Sequence, residues 1–324
     1  MNIVLVIGSV IPVTAYGGTQ RVIWYLGKEL VKLGHCVTFL AGRGSTCDFA
    51  RVIPIEPARN IIEQIPEEAD IVHFNNAAPA GVRKPYIVTY HGNFIPGNLE
   101  RNAVFVSRNH AARYGSTSFV YNGLDWDDYG PVDFRTPRKD FHFLGKAAWS
   151  VKNVKGAIDV VKALPGEHIH ILGGYRFNLK MGMRFTFTPK ARFHGMVGGE
   201  EKLRFLKNSK GLIFPVKWDE PFGLAITESL YCGAPVFGTP YGSLPELVTP
   251  EVGFLSADSA EMTEHLLHGY HYTPQTCHEY AADLFNSQVM AKAYLQKYEQ
   301  AANGHPLNEH LPHALKPDGK QPWR

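Results

Sequence analysis

Residues 219–236 read DEPFGLAITESLYCGAPV, and the organisation of the chain follows from how that segment folds. Just before it, GLIFPV (211–216) is an apolar run of strand length with KWDEP (217–221) as its loop. FGLAITESLYCG (222–233) has helical spacing from Phe222-Gly223 to the Ala234-Pro235 stop, and PVFG (235–238) is the next strand. Strand, loop, helix and strand make a βαβ unit, the building block of a parallel sheet. Ligands of such sheets meet the loops that follow strands. Glu220 therefore stands in a ligand loop, and Glu228, four residues after Leu224, lies on that residue's helical face.

The same rhythm extends in both directions. NIVLVI (2–7) is a continuous apolar run, as in a strand covered on both faces, and TQRVIWYLGKELVKLG (19–34) puts Val22, Leu26, Leu30 and Leu33 on one stripe before Gly34. CVTFLAG (36–42), DIVHF (70–74), YIVTY (86–90), AVFVS (103–107) and SFVYN (118–122) read as further strands. A second series runs through FHFLG (141–145), AIDVVKAL (157–164), HIHILGG (168–174), ARFHG (191–195) and GEEKLRFLKNS (199–209). Between the two, GLDWDDYGPVDFRTPRKD (123–140) lacks periodicity and is rich in Asp, Pro and Gly. The expected layout is a first α/β domain over 1–138, a second over 139–285, an amphipathic helix over 286–302 and a loosely ordered tail over 303–324.

With 324 residues, two domains of roughly 150 residues each are the natural expectation. A net charge of +3 and 19% charged residues describe an ordinary soluble protein. No Lys/Arg block interleaved with aromatics suits a nucleic-acid groove. Cys36, Cys47, Cys232 and Cys277 form no CxxC pair and no zinc spacing, which fits free thiols in a reducing cytoplasm. The apolar N-terminal run is too short to span a bilayer. The helix at 19–34 carries Arg21, Lys28 and Lys32 but also Glu29, an ordinary surface decoration that leaves membrane contact without support.

Four loops carry candidate chemistry. Gly17-Gly18 before a helix lets backbone approach an anion, although no GxGxxG fingerprint follows the strand, and a plain turn fits equally. His91 in TYHGN (89–93) follows a strand directly and can donate to a sugar hydroxyl or a phosphate, whereas His73, inside a strand, reads as structural. After FLG, Lys146, Lys152 and Lys155 place cations at the mouth of a sheet, where they suit a diphosphate leaving group. In the opening segment, Glu228 can accept the hydroxyls of a ribose while the N–H groups near Gly223 and Leu224 hold phosphate. Acids near a helix start also complement its dipole, a purely structural alternative.

Together these residues resemble the retaining glycosyltransferase family 4, the glycosyl transferases group 1. EPFGLAITESLYCGAPV with its E-x7-E spacing and GTPYGSLPELV (238–248) carry the resemblance, and the order of GGTQRV (17–22), DIVHFN (70–75), VTYHG (88–92), VSRNHAARYG (106–115), YNGLDWDDY (121–129) and FLGK extends it to about residue 300. The resemblance implies a GT-B fold, two Rossmann-like parallel α/β domains facing a central cleft, with the C-terminal helix crossing back to the first domain. It implies a hexosyltransferase-type enzyme moving a sugar from a nucleotide-diphosphate donor, UDP-sugar favoured, with retention and without a metal or other cofactor.

By position in the motifs, the resemblance gives Glu228 to the donor ribose and Phe222, Gly223 and Leu224 to the phosphates and sugar. Glu220 goes to donor-sugar hydroxyls, Lys146 with Lys152 or Lys155 to the diphosphate, Gly18 beside Gly17 to the phosphates and His91 to the transferred sugar. Lys146 stands where the family usually has Arg, Gln20 where an acid is common and Asn75 where a His is common. The acceptor (a sugar, a small molecule or a lipid-linked group) is not specified. A nucleotide-sugar epimerase or hydrolase and a non-catalytic nucleotide-sugar-binding subunit are the competing expectations.

Overall fold

A computed structural model describes residues 1–13, 17–178 and 184–324 of the protein. They divide into two compact units. One contains Met1–Val13, Gly17–Trp126 and Phe285–Pro317, and the other Asp127–Leu284 and Asp318–Arg324.

In the first unit the strands are β1 (Asn2–Ile7), β2 (Cys36–Ala41), β3 (Arg51–Pro54), β4 (Ile71–Asn75), β5 (Tyr86–Tyr90) and β6 (Ala103–Phe105). Their order is β3-β2-β1-β4-β5-β6, every pair parallel. The continuous apolar runs of the sequence are the central strands, buried on both faces as parallel sheets require. Helix α1 (Gly18–Lys32) buries Val22, Leu26 and Leu30, and Gly34 follows it with a φ of 87, the left-handed conformation that closes helices. Helix α2 (Arg108–Arg113) is capped by the Ser107 hydroxyl, which accepts from the His110 N–H.

The second unit repeats the plan. Its strands are β7 (Phe141–Leu144), β8 (Ile169–Leu172), β9 (Phe177–Asn178), β10 (Arg184–Phe185), β11 (Ala191–Phe193), β12 (Leu212–Phe214), β13 (Val236–Gly238) and β14 (Gly253–Leu255). Six of them form a parallel sheet in the order β11-β8-β7-β12-β13-β14, while β9 and β10 pair as a separate antiparallel hairpin. The helices are α3 (Val154–Ala163), α4 (Gly199–Lys207), α5 (Leu224–Tyr231), α6 (Leu244–Leu247), α7 (Ser259–Leu267) and α8 (Pro274–Leu284). Both large sheets have the doubly wound order, in which the chain leaves the first strand in one direction and then returns to its other side. Binding crevices of such sheets lie at that reversal, between β1 and β4 in one unit and between β7 and β12 in the other.

The last helix, α9 (Ser287–Ala302), belongs to the first unit and packs on α1, β4 and β5. Its Tyr298 hydroxyl lies 2.8 Å from His73 Nδ1, and Thr89 Oγ1 lies 2.7 Å from His73 Nε2 and 3.1 Å from the Tyr294 hydroxyl. Burial pushes His73 down to about 3. In the second unit, buried His142 is placed the same way by Ser209 and Ser229 and is also lowered to about 3. Both are neutral in the folded protein and ordinary imidazoles in the unfolded one. Below pH 6.5 the unfolded chain therefore binds the extra protons, and stability falls as pH drops toward 3. Urea unfolding is expected to lose about 1.4 kcal/mol per histidine per pH unit between pH 6 and 4, with His73→Asn flattening the profile. A flat profile across that window would overturn the assignment.

Several elements differ from the sequence expectation. SFVYN forms no strand, only an isolated bridge of Phe119 to Phe105. β3 is a short edge strand ending in Pro54, too brief for a pattern to register. The units divide at Trp126/Asp127 rather than at 138/139, because residues after 127 bond into the second unit, as where Arg138 donates to the Ser209 and Cys232 carbonyls. Residues after Asn303 are not loose. Leu307 and Asn308 are buried, Asn308 donates to the Arg101 and Ala103 carbonyls, and His313 and Leu315 N–H groups bond to Tyr114 and Arg113. Residues 318–324 join the second unit, where Trp323 packs on the core and Gln321 donates to Asp219 at 3.0 Å. Such a tail has no period because it forms neither helix nor strand. Among the described residues, no helix is long and apolar enough to cross a membrane.

Candidate functional site

In the second unit, the loop after β12 holds Glu220 and leads into α5, which carries Glu228. The loop is fixed from behind by the segment after β13. The Ser243 N–H donates to the Glu220 carbonyl at 2.9 Å and its hydroxyl to the Phe222 carbonyl at 2.7 Å. Gly242, at a φ of 63, lies so close that a Cβ there would meet the Glu220 nitrogen at 2.2 Å. That is why GTPYGSLPELV accompanies the glutamate segment in the sequence: it is the other wall of the loop. Gly223 enters α5 in the left-handed region, φ 86, with no side chain capping the first turn.

Both glutamates are buried, Glu220 at 6% exposure and Glu228 at 2%. Each is held by a lysine and an aromatic donor. Glu220 Oε2 accepts from Lys152 Nζ at 2.6 Å and from Trp218 Nε1 at 2.7 Å, and Lys152 lies over the Trp218 ring at 4.9 Å. Glu228 Oε1 accepts from Lys202 Nζ at 2.6 Å and from the Tyr129 hydroxyl, and Lys202 lies over the Tyr129 ring at 5.3 Å. A carboxylate this deep needs a paired, hydrogen-bonded cation, so each lysine is what permits its glutamate. Glu220 Oε1 has no side-chain partner among the described residues.

The three lysines after β7 separate. Lys152, in a short turn before α3, reaches Glu220. Lys155 points outward on α3 and pairs with Asp159 at 2.8 Å. Lys146 is half-buried over the Trp149 ring at 5.2 Å. Between Lys152 and Lys155, the candidates for the second cation, only Lys152 touches a glutamate of the E-x7-E segment. Phe222 is a core side chain at 2% exposure, so only its backbone can face a ligand, whereas Gly223 and Leu224 are half-buried.

The remaining sequence candidates lie in the first unit. Gly17 is the residue before α1, and a Cβ on it would meet Val13 Cγ2 at 2.9 Å. Gly18 is the first residue of the helix; residues 14–16 of that loop lie outside the described residues. His91 Nε2 is 2.8 Å from Asn75 Oδ1, and Asn75 Nδ2 donates to the Val6 carbonyl at 3.1 Å. That second bond fixes the amide, so Nε2 carries the proton and gives it to Asn75, which leaves Nδ1 as an acceptor. His91 was expected to donate to its ligand; here it is set to accept. Burial lowers it to about 4, so it is neutral at physiological pH. Asn75, noted only as a departure from the family, is what orients it.

Sequence reasoning missed Lys202, Tyr129 and Trp218. Lys202 was findable: it stands four residues before buried Leu206 on α4, hence on the buried face. Tyr129 ends a four-residue 3-10 helix, Trp126–Tyr129, and Trp218 sits in a loop, both too short to show such a register. Among the described residues, no cluster of three or more His, Cys, Asp or Glu is arranged to hold a metal.

The model of the family Glycosyl transferases group 1 matches residues 130–280, the part of the chain that holds both glutamate–lysine pairs except Tyr129. An uncharacterized 41.2 kDa protein in the cps region of Klebsiella pneumoniae is 28% identical over 114 residues, which is 33% of this chain and 32% of that relative; the match thus spans about a third of its length. Among solved structures, AviGT4, a glycosyltransferase involved in avilamycin A biosynthesis, superposes with a TM-score of 0.75 at 20% identity over 94% of this chain and 98% of its own. HepE of Anabaena, solved with UDP and glucose, gives a TM-score of 0.64 at 14% identity, over 93% and 100%. The chain has the GT-B glycosyltransferase fold, and residues 130–280 are a glycosyl transferases group 1 domain, a domain of transferase enzymes.

Proposed function

We propose that the protein is a retaining glycosyltransferase of family 4 that moves a sugar from a nucleotide-diphosphate donor, UDP-sugar favoured, to an acceptor hydroxyl. The observation that carries the reading is the buried Lys152–Glu220 pair in the loops after β7 and β12, on the two sides of the sheet's reversal point. A cation there offsets the charge that grows on the departing diphosphate, with Lys146 beside it in sequence. Glu220 Oε1 accepts a hydroxyl of the donor sugar, and the uncapped N–H groups at the start of α5 receive phosphate oxygens. Glu228, held by Lys202 and Tyr129 on α5, takes the ribose hydroxyls of the donor.

The acceptor hydroxyl attacks the anomeric carbon from the face that the nucleotide diphosphate leaves. A phosphate oxygen of the leaving group takes the hydroxyl proton, so no protein nucleophile and no metal enter the step. His91, through Nδ1, accepts a hydroxyl of the transferred sugar. Positioning and preorganised charge supply the rate. The four free cysteines are consistent with work in a reducing cytoplasm.

The test is a thermal-shift and turnover screen of UDP-, GDP-, ADP- and TDP-hexoses with and without chelator. A donor at a hundred times its dissociation constant is expected to add about 2.7 kcal/mol of stability, unchanged by chelator, and product NMR to show retained anomeric configuration. Inverted product, or loss of every shift on chelation, would overturn the mechanism. Donor turnover without any acceptor would make the protein a hydrolase or epimerase instead.

A further inference from the structure

Residues 318–324 carry a short stretch of chain across the loops that follow the strands of the second sheet. The Gln321 N–H donates to the Lys217 carbonyl at 2.9 Å and its side-chain amide to Asp219 Oδ2 at 3.0 Å, both in the loop after β12. The Pro322 carbonyl accepts from the Tyr241 hydroxyl at 2.8 Å, in the segment after β13. Trp323 packs on the core beside the first turn of α3, where a Cβ on Gly156 would meet its Nε1 at 2.7 Å. The Arg324 N–H donates to the Ala257 carbonyl at 3.1 Å and its carbonyl accepts from the Ser259 N–H at 2.8 Å, in the segment after β14. Four consecutive residues thus tie together the segments that follow β7, β12, β13 and β14.

Those segments hold the Lys152–Glu220 pair. Lys152 stands in a three-residue turn and Glu220 in a loop, so both depend on bonds between segments for their position. Lys217 is gripped from two sides, its N–H donating to the Val151 carbonyl at 2.7 Å and its carbonyl accepting from Gln321. The first bond joins the loop to the neighbour of Lys152, and the second joins it to the crossing segment. Between Lys217 and Asp219, the two residues that Gln321 holds, stands Trp218, whose indole donates to Glu220 Oε2 and whose ring lies under Lys152. Tyr241 extends the hold to the wall behind, where the Ser243 N–H bonds to the Glu220 carbonyl.

We propose that residues 321–324 are a strap that positions the Lys152–Glu220 pair, and that Gln321 is the positioning residue that sets Trp218 through Lys217 and Asp219. The effect of the strap on turnover rests on the transferase reading above; its effect on the loop does not. Preorganised charge acts only where it is placed, and a displacement of about 1 Å can cost about a hundredfold in rate. Gln321 and Asp219 are half-buried, so losing their bond should barely move the melting temperature.

Gln321→Ala in the full chain tests the proposal, and solvent exchange of the Trp218 indole N–H is a readout that needs no substrate. The variant is expected to exchange that proton about tenfold faster and to lower kcat by about tenfold, with melting temperature and UDP affinity unchanged. Gln321→Lys, which keeps a donor within reach of Asp219, should restore both. Unchanged indole exchange, faster exchange with kcat intact, or a loss of kcat that follows a fall in melting temperature would overturn the proposal. Faster exchange in a protein that turns over no nucleotide sugar would uphold the strap and sink the transferase reading instead.

Discussion

Lys152→Ala is expected to lower kcat by about 100- to 1,000-fold, the scale of removing one preorganised charge from a transition state. Affinity for free UDP should change far less, because the charge that Lys152 meets is greatest as the sugar departs. Lys155→Ala, on the outer face of α3 with Asp159, should leave both quantities unchanged. Since the variant leaves Glu220 without its cation, the measurement is made on protein shown by its melting curve to be folded. Turnover retained in Lys152→Ala, or UDP affinity falling as steeply as kcat, would show that the lysine serves ground-state binding alone.

Glu228→Ala should destabilise the protein by about 3–5 kcal/mol in urea unfolding, since it leaves Lys202 buried without its carboxylate. Lys202→Met should cost a similar amount for the reciprocal reason. The double variant Glu228→Leu with Lys202→Met should cost much less than the sum, because replacing both members of a buried pair by apolar groups is often close to neutral. That double variant also separates structure from function. If it is stable and has lost nucleotide affinity, Glu228 serves the ligand; if it is stable and binds normally, the pair is scaffolding and the ribose assignment fails.

Much of this protein was legible in the chain. Apolar runs of strand length ended by Gly or Asn marked the central strands, because a parallel strand covered on both faces has no polar side to show. The stripe of α1 and the E-x7-E loop and helix were readable for the same reason: local periodicity reports local burial. Less legible were elements whose stability is not periodic. β3 is a four-residue edge, SFVYN has strand composition without a partner ladder, and the segment after Asn303 is held by single contacts such as Asn308 on two carbonyls. The β9–β10 hairpin, with two residues in each strand, was hidden by its shortness.

The sequence by itself determined the two α/β units, the loop that carries Glu220 and the helix that carries Glu228, since strand, turn and helix signals are encoded by neighbours along the chain. It could not choose between Lys152 and Lys155, which are three residues apart and chemically alike. Only tertiary structure turned one toward Glu220 and the other to solvent. It also supplied Lys202 and Tyr129 to Glu228, and Asn75 to His91. A buried carboxylate is tolerable only where distant parts of the chain bring it a cation and a donor, and that partnership is fixed by packing rather than by any pattern local to the glutamate.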